Sequence, residues 1–249
     1  MKILFISDIH SNFPALEAVW KQENDSDYIL CAGDLVDWGF YPKEVLDWCR
    51  QHNAICVAGN HDRDLCAVYR QMQSGVRPPA GTFQEHNIER LTEEDLVWLE
   101  NLKDTQLIQI EGLTFYMRHS FAEIEENRKI LLERWIKDES LMAFHEHWPK
   151  DLTGETRILI FGHSHQSWIY QVEHETFFLN PGSLSYRVNS DSRAKGAYYA
   201  VWENGFLQLR HVDYDRSVFL PLLEDPRLRE DVRTAEGYHL VRELPIRKA

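Results

Sequence analysis

The sequence contains no apolar stretch that approaches ~18 consecutive residues, the length at which a transmembrane helix becomes the natural interpretation. Met1-Lys2 runs directly into a short apolar segment, without the longer apolar core and small-residue cleavage site of a signal peptide. Only four residues are cysteines, and they show neither CxxC nor any other paired spacing. We therefore expect a cytoplasmic protein with no membrane span, no disulfide framework and no zinc knot.

Basic residues are scarce as well: 27 Lys and Arg stand against 40 Asp and Glu, which gives a net charge of -13. A general nucleic-acid surface needs a basic patch, because binding is driven by the release of counterions from neutralised phosphates. The charge balance therefore disfavours such a surface. A small phosphorylated substrate remains compatible with it, since bound metal cations would invert the local field at a site.

Polar residues that can hold metals or transfer protons form five clusters, and each cluster directly follows an apolar run that is typical of a buried strand. In open α/β sheets, ligands bind at the carboxyl ends of the strands, so five strands that end in such residues predict one shared site. The clusters are Asp8-Ile9-His10, Gly33-Asp34-Leu35-Val36-Asp37, Gly59-Asn60-His61-Asp62, the single His119, and Gly162-His163-Ser164-His165.

The first third of the chain alternates strands with helices, which favours parallel strands joined by right-handed crossovers. Ser11 or Asn12 can cap the first helix, and a second helix is predicted to begin near Pro42. Strands are predicted over 28–31 and 54–57, on either side of that second helix. The beginning of the chain thus predicts a βαβαβ arrangement.

The rest of the chain predicts a layered α/β sandwich that forms a single domain over residues 1–249. Helical segments over about 64–104 and 122–147 follow two of the polar clusters and are predicted to form the walls of the pocket. Short strands between 157 and 213 predict a second sheet, mostly antiparallel or mixed. Residues 214–249 show no pattern that assigns them to an element.

Spacing within the clusters suggests how two side chains from one strand end could reach one ion. Asp8 and His10 flank a single residue, so an extended backbone would point both side chains the same way. His163 and His165 repeat this spacing. Gly33, which precedes Asp34, lets the backbone approach a metal closely.

Seven side chains are the candidate ligands, enough for two ions if one carboxylate bridges them. Mixed imidazole, carboxylate and amide donors favour manganese, iron, zinc or cobalt over calcium or magnesium, and we expect manganese first. Two ions ~3.5–4 Å apart can clamp a phosphoryl group and share a nucleophilic hydroxide. The ligands would be Asp8, His10, Asp34, Asn60, His119, His163 and His165, with Asp34 as the bridge.

His61 stands beside a ligand without being counted as one, so it is the natural general acid for a departing alkoxide. A general-acid histidine needs a partner that orients its ring. Asp37 is the first candidate for this partner, and Asp62 is the second.

The order of these motifs resembles the calcineurin-like metallophosphoesterase superfamily. The shared pattern is Asp-x-His, Gly-Asp-x-x-Asp, Gly-Asn-His-Asp, a later His and Gly-His-x-His. Asn180-Pro181-Gly182-Ser183 extends it, because it is similar to a turn of the small phosphodiesterase branch. The resemblance implies a four-layer α/β/β/α sandwich of two mixed sheets.

The resemblance also implies a division of labour among the site residues. One metal would be held by Asp8, His10, Asp34 and His165. The other would be held by Asp34, Asn60, His119 and His163. His61, paired with Asp37, would be the catalytic histidine of a phosphodiesterase or phosphatase that acts on a small phosphorylated or nucleotide substrate.

One departure from the family pattern concerns the substrate. Protein phosphatases of the superfamily carry Arg after the second Asp of the Gly-Asp motif, where this chain has Trp38. Arg63, Arg118 and Arg187 are candidate replacements for the missing clamp, because Arg binds phosphate bidentately. Arg118 is the weakest of the three, since strand alternation points it away from the face of His119. Trp38 itself is a candidate platform for a nucleobase or an aryl leaving group.

Two other functions are compatible with the same fold. A metal-dependent protein phosphatase is disfavoured by Trp38. A non-catalytic scaffold is disfavoured because scaffold relatives typically lack the catalytic histidine, whereas His61 and all seven ligands are present here. Fold alone does not separate these functions.

Overall fold

The structure is a computed structural model that describes residues 1–120, 156–185, 196–230, 232–233 and 240. Within this part of the chain, two mixed sheets are flanked by helices. The α/β fold class predicted from the sequence is confirmed. The predicted helical wall over 122–147 lies outside the described residues.

The first third of the chain alternates strands and helices in the predicted βαβαβ order. The strands are β1 (Lys2–Ile6), β2 (Tyr28–Cys31), β3 (Ile55–Cys56), β4 (Thr105–Ile110), β5 (Leu113–Arg118), β6 (Thr156–Ile160), β7 (Trp168–Glu173), β8 (Thr176–Asn180), β9 (Ala197–Glu203) and β10 (Phe206–Val212). The helices are α1 (Phe13–Glu23), α2 (Pro42–Gln51), α3 (Asn60–Gln73), α4 (Phe83–Ile88), α5 (Glu93–Glu100) and α6 (Leu220–Leu223), the last preceded by a 3-10 turn over Ser217–Phe219.

The first sheet has the strand order β10-β9-β1-β2-β3, with β1, β2 and β3 parallel. β9 pairs antiparallel with β1, and β10 pairs antiparallel with β9. The expectation that all strands after 157 form the second sheet is therefore wrong for β9 and β10. Strand periodicity predicts that a segment is a strand but carries no information about its distant partner, and β9 lies nearly 200 residues from β1 in the chain.

The second sheet has the order β4-β5-β6-β8-β7, with a parallel centre of β5, β6 and β8 and antiparallel edges. Between the two sheets lies one apolar cluster to which both contribute, and the rings of Phe5 and Phe115 lie 5.7 Å apart within it. A second cluster fills the space between the first sheet and helices α1, α2, α3 and α5. Both sheets therefore end, on the carboxyl side of their parallel strands, at one common edge.

Capping residues fix where the helices near this edge begin. Asn12 accepts a hydrogen bond from Ala15 N at 3.2 Å, as the sequence predicts for one of its two candidate caps. The third helix begins at Asn60, several residues before the expected start near 64, because the Asp62 carboxylate accepts the Gly59 N–H at 2.8 Å. Asn60 and His61 therefore lie in the first turn of a helix and not in a loop.

Part of the C-terminal region is now assigned to a place in the fold. Phe219, Leu223 and Leu228 pack with Phe40 and Phe83 in a separate apolar cluster. Because Phe40 lies between β2 and α2, this cluster packs against the segment that joins them. In the described ranges, every helix is too short or too polar to cross a bilayer.

Candidate metal centre

Backbone turns in the left-handed region bring the candidate ligands together at the carboxyl edge of the sheets. The φ angles are 51° at Asp8, 48° at His10, 53° at Asp34, 62° at His163 and 55° at His165. The expectation that an extended backbone aligns Asp8 with His10, and His163 with His165, is therefore wrong. Left-handed residues other than glycine cost roughly 1–2 kcal/mol each, so the surrounding hydrogen bonds must hold these turns in place.

A first group of candidate ligands consists of Asp8, His10, Asp34 and His165, whose ligand atoms all lie within 4.8 Å of one another. The Nε2 atoms of His10 and His165 are 3.3 Å apart. His165 Nε2 lies 3.3 Å from Asp8 Oδ1, and His10 Nε2 lies 3.7 Å from Asp34 Oδ2. All four side chains are buried.

A second group consists of Asp34, His119 and His163, again with ligand atoms within 4.8 Å of one another. His119 Nε2 lies 3.1 Å from Asp34 Oδ2. Asn60 joins this group, since its Oδ1 lies 2.8 Å from His163 Nδ1 and 3.1 Å from His119 Nε2. Asp34 belongs to both groups, which is the position of a bridging carboxylate.

The donor atoms of both groups fit a first-row transition metal. Each group combines imidazole nitrogens with carboxylate oxygens within 4.8 Å of one another, and this mixture suits manganese, iron, zinc or cobalt. His119 Nδ1 lies 2.7 Å from the carbonyl oxygen of Ala32, so Nδ1 carries the proton and Nε2 faces the second group. Such a hydrogen bond on the far nitrogen is a usual feature of histidines that bind metals.

The field at the shared carboxylate favours positive charge. Burial acts to lower the pKa of His119, but the charge of Asp34 and the hydrogen bond to it raise this pKa to about 10. Burial opposes ionisation of Asp34, yet the neighbouring charges of His119, His10 and His61 hold its pKa well below the usual range. A proton on His119 and a metal ion at the same nitrogen are alternatives, so the field that retains the proton also favours a cation.

His61 lies at the edge of the two groups with its Nδ1 2.9 Å from Asp37 Oδ2. Its ring centroid is 4.9 Å from that of His10, and its backbone N–H donates to Asp34 Oδ1 at 2.9 Å. Burial acts to lower the pKa of His61, but the hydrogen bond with Asp37 and the charges of Asp34 and Asp37 raise it above the ordinary value. The structure thus places Asp37, the first of the two candidate partners, against the ring.

Asp62, the second candidate partner, has a different role. Its Oδ1 accepts the backbone N–H groups of Leu35 and Val36 at 2.9 and 3.1 Å, while its Oδ2 accepts that of Gly59. Burial and the charge of Asp34 raise its pKa to about 7. Asp62 therefore ties the loop after β2 to the start of α3 and does not orient His61.

The Asn180-Pro181-Gly182-Ser183 turn contacts two of the loops that carry candidate ligands. Asn180 Nδ2 donates to the carbonyl oxygen of Gly162 at 2.8 Å and to Ser164 Oγ at 3.0 Å. Ser183 Oγ donates to the carbonyl oxygen of Asp8 at 2.9 Å. The turn thus joins the Asp8 loop of one sheet to the His163 loop of the other, a role that the motif alone did not reveal.

Trp38 stands beside the His61–Asp37 pair and carries a left-handed backbone, with φ 54°. Its ring centroid lies 4.9 Å from that of His61 and 5.8 Å from that of His10. The side chain is half-buried. An aromatic surface therefore borders the site on the side where His61 stands.

Arg63 does not serve as the phosphate clamp that the sequence suggested. Its guanidinium donates to the carbonyl oxygens of Leu99, Glu100 and Leu102 at 3.4, 2.9 and 2.5 Å, and it pairs with Asp104 at 2.7 Å. Leu99 and Glu100 belong to the last turn of α5 and Leu102 follows it, so Arg63 ties α3 to the end of α5. Arg187, the other candidate clamp, lies outside the described residues.

We expect Arg63→Ala to lower the free energy of unfolding by about 1–3 kcal/mol, because it removes the partner of several carbonyls at once. Denaturant unfolding measures this change. Arg70→Ala on the same helix is the matched control, since Arg70 is exposed and forms a surface pair with Glu100, which predicts a loss below about 1 kcal/mol. A raised KM for phosphoesters in Arg63→Ala, without a change in stability, would restore the clamp hypothesis.

Comparison with known proteins identifies relatives of this chain. The family model described as calcineurin-like phosphoesterase matches residues 1–190. An uncharacterized protein of Methanocaldococcus jannaschii is 26% identical over 227 residues, which cover 86% of this chain and 88% of that protein.

Two solved structures share the fold over nearly the whole chain. A metallophosphoesterase from Sphaerobacter thermophilus has a TM-score of 0.67 and 21% identity, covering 96% of this chain and 100% of its own. A hypothetical protein from Pyrococcus horikoshii has a TM-score of 0.68 and 15% identity, covering 93% and 96%. At these identities, the two structures show a common fold.

Proposed function

Because this chain belongs to the calcineurin-like phosphoesterase family, we propose that it is a dinuclear metal-dependent phosphoester hydrolase. Its substrate would be a small phosphorylated molecule or a nucleotide, as a phosphodiester or a phosphomonoester. One observation carries the proposal: the Asp34 carboxylate belongs to two adjacent ligand groups, and the His61–Asp37 pair stands at their edge.

Each ligand group would hold one ion. Asp8, His10, Asp34 and His165 would hold the first, and Asp34 would share the second with Asn60, His119 and His163. Manganese, iron, zinc or cobalt bound there would supply Lewis acidity toward phosphoryl oxygens and a nucleophile from water at neutral pH. The seven side chains fix the ligand number and keep the donors within reach of each other.

The His61–Asp37 pair would complete the reaction at the leaving group. Asp37 accepts a hydrogen bond from the Nδ1–H of His61, and this contact orients Nε2 away from the carboxylate. The hydrogen bond with Asp37 acts to raise the pKa of His61 and so favours the protonated ring, from which Nε2 would donate its proton to the departing oxygen. The partial burial of the ring limits the access of water to this proton.

The position of Trp38 favours a substrate whose leaving group is a flat ring. The leaving group must lie near His61, and the Trp38 indole is 4.9 Å from that imidazole. We expect Trp38→Ala to raise KM about 2- to 12-fold for an aryl or nucleoside ester, since an aromatic contact contributes about 0.5–1.5 kcal/mol.

The matched substrate for this variant is an alkyl ester of similar size, whose KM should not change. Steady-state kinetics on both esters measure the difference. An unchanged KM for the aromatic ester would remove Trp38 from the substrate site, and an equal rise for both esters would assign it a general role in shaping the pocket.

The proposal is tested by hydrolysis of an aryl phosphomonoester, a bis-aryl phosphodiester and a phosphopeptide. The protein is first stripped with a chelator and then reloaded with Mn²⁺, with metal content measured at each stage. Turnover of either aryl ester that is lost and regained with the metal supports the proposal. Preference for the phosphopeptide would favour a protein phosphatase, and two bound ions without turnover of any ester would favour the scaffold.

A further inference from the structure

Asn87 is a buried residue of α4 whose side chain uses both ends of its amide. Its Oδ1 accepts the Ser11 hydroxyl at 2.5 Å and the Asp37 backbone N–H at 3.0 Å. Its Nδ2 donates to the carbonyl oxygens of Gly39 and Phe83 at 2.9 and 2.8 Å. The side chain is 0% exposed, so these four bonds account for its whole hydrogen-bonding capacity without water.

The segment that Asn87 holds is the one that carries the carboxylate partner of His61. Asp37 and Trp38 both have left-handed backbones, with φ 69° and 54°. Gly39 follows, and it packs so closely that a Cβ there would lie 2.2 Å from the carbonyl oxygen of His10. Such a strained turn persists only where its surroundings over-determine it, and Asn87 binds it both before and after Trp38.

Asn87 also connects this turn to a metal-ligand loop. Ser11 follows His10 directly, and its hydroxyl shares the Asn87 oxygen with the Asp37 N–H. One amide therefore joins three parts of the chain: the loop after β1, the loop after β2 and helix α4. Asn87 contacts both loops directly, so a displacement of its side chain would reach them without an intermediate residue.

We propose that Asn87 is a positioning residue that sets the Asp37 carboxylate against His61 Nδ1. It does so by holding the Asp37 N–H and the Gly39 carbonyl in a fixed relation to α4. The inference rests on the proposed function of His61 as the general acid. Asn87 itself would not contact the substrate.

A positioning role predicts a loss that depends on the leaving group. An alkoxide needs protonation as it departs, whereas a nitrophenolate departs readily without it, so a misplaced general acid affects alkyl esters most. We expect Asn87→Ala to lower kcat about 10- to 100-fold for a metal-loaded alkyl phosphoester. The loss for a nitrophenyl ester should be at least several-fold smaller, with KM and bound metal unchanged.

Thr82→Ala provides the matched control. Thr82 caps α4 by accepting the Glu85 N–H at 3.2 Å, so its loss should weaken the same helix by about 1 kcal/mol while leaving the four bonds of Asn87 in place. We expect this variant to be less stable than wild type and to keep the wild-type ratio of alkyl to nitrophenyl hydrolysis. A shifted ratio in Thr82→Ala would mean that any weakening of α4 has this effect.

The double variant Asn87→Ala/His61→Ala tests whether the two residues act as one unit. If Asn87 acts through His61, the double variant should be no slower than His61→Ala alone. Multiplicative losses, or an equal loss on both esters in Asn87→Ala, would overturn the inference. Wild type that hydrolyses neither ester with two ions bound would instead overturn the proposed function.

A second variant covers the case in which Asn87→Ala does not fold. Asn87→Asp preserves the shape and an oxygen for the Asp37 N–H but removes both donated bonds, which releases the Gly39 carbonyl. The same selective loss on alkyl esters is expected. A crystal structure of either variant with the Asp37–His61 pair still at hydrogen-bond distance and the wild-type ester ratio would contradict the assignment.

Discussion

His61→Ala is expected to lower kcat for phosphoester hydrolysis by about 10²- to 10⁴-fold, the usual contribution of a general acid. The variant removes the proton donor but none of the residues in either ligand group, so metal content should remain as in wild type. Its loss should be greatest on esters with poor leaving groups. Steady-state kinetics with metal analysis on the same samples measures both quantities.

His174→Ala is the control for the loss of a histidine, because this side chain is 92% exposed and lies outside the site. It should retain wild-type kcat and metal content. Asp37→Asn should reproduce part of the His61→Ala loss, since a neutral amide leaves the ring without its charged partner. Wild-type kcat in His61→Ala would exclude the assigned role and leave proton donation to another group.

The convergence of the candidate ligands was predictable because each lies directly after a buried strand, and strand ends meet at one edge of a parallel sheet. The local pattern of a polar residue directly after an apolar run was therefore enough to predict which side chains meet. His61–Asp37 was predictable for a similar reason, since both residues follow neighbouring strands. Asp62 was the weaker alternative, and only its contacts with Leu35, Val36 and Gly59 show that it holds backbone.

The features that were not predictable depend on contacts between distant parts of the chain. Asn87 has no motif around it, and its role appears only when α4 packs against two loops that lie about 50 and 76 residues away. Arg63 directly follows the Asn60-His61-Asp62 motif, yet helix geometry directs it to the end of α5. The left-handed turn at His10 is likewise invisible in an Asp-x-His pattern, because tertiary contacts stabilise it.

The pairing of β9 with β1 shows the same limit at the level of the fold. The sequence correctly predicted short strands in the part of the chain that forms β9 and β10, but not the sheet that they join. The turn from Asn180 to Ser183 takes the chain from the second sheet back to the first, and Leu184 N donates to the carbonyl oxygen of Ser7 at 3.3 Å. The Asn180–Ser183 motif, which resembled a family signature, thus also connects the two sheets.

Asp34→Asn is expected to produce the largest loss among the metal ligands, because Asp34 alone belongs to both groups. The substitution preserves the shape of the side chain and an oxygen that can accept the His61 N–H. It removes the negative charge that favours cations at both groups. A loss of several kcal/mol of charge stabilisation corresponds to a fall in kcat on the order of 10³-fold or more.

Metal binding provides a measurement of this variant that does not depend on turnover. Wild type stripped with a chelator should gain stability on addition of Mn²⁺, by about 2.7 kcal/mol for each ion bound when the free ion reaches 100 times its Kd. Asp34→Asn should lose most of this gain and bind fewer than two ions, whereas Asp37→Asn should keep both.

The contrast is informative because both variants replace a buried carboxylate near His61, and only one of these carboxylates lies within the ligand groups. Two tightly bound ions in Asp34→Asn would show that the groups are independent, and the bridging role would then be wrong even if the protein hydrolyses phosphoesters.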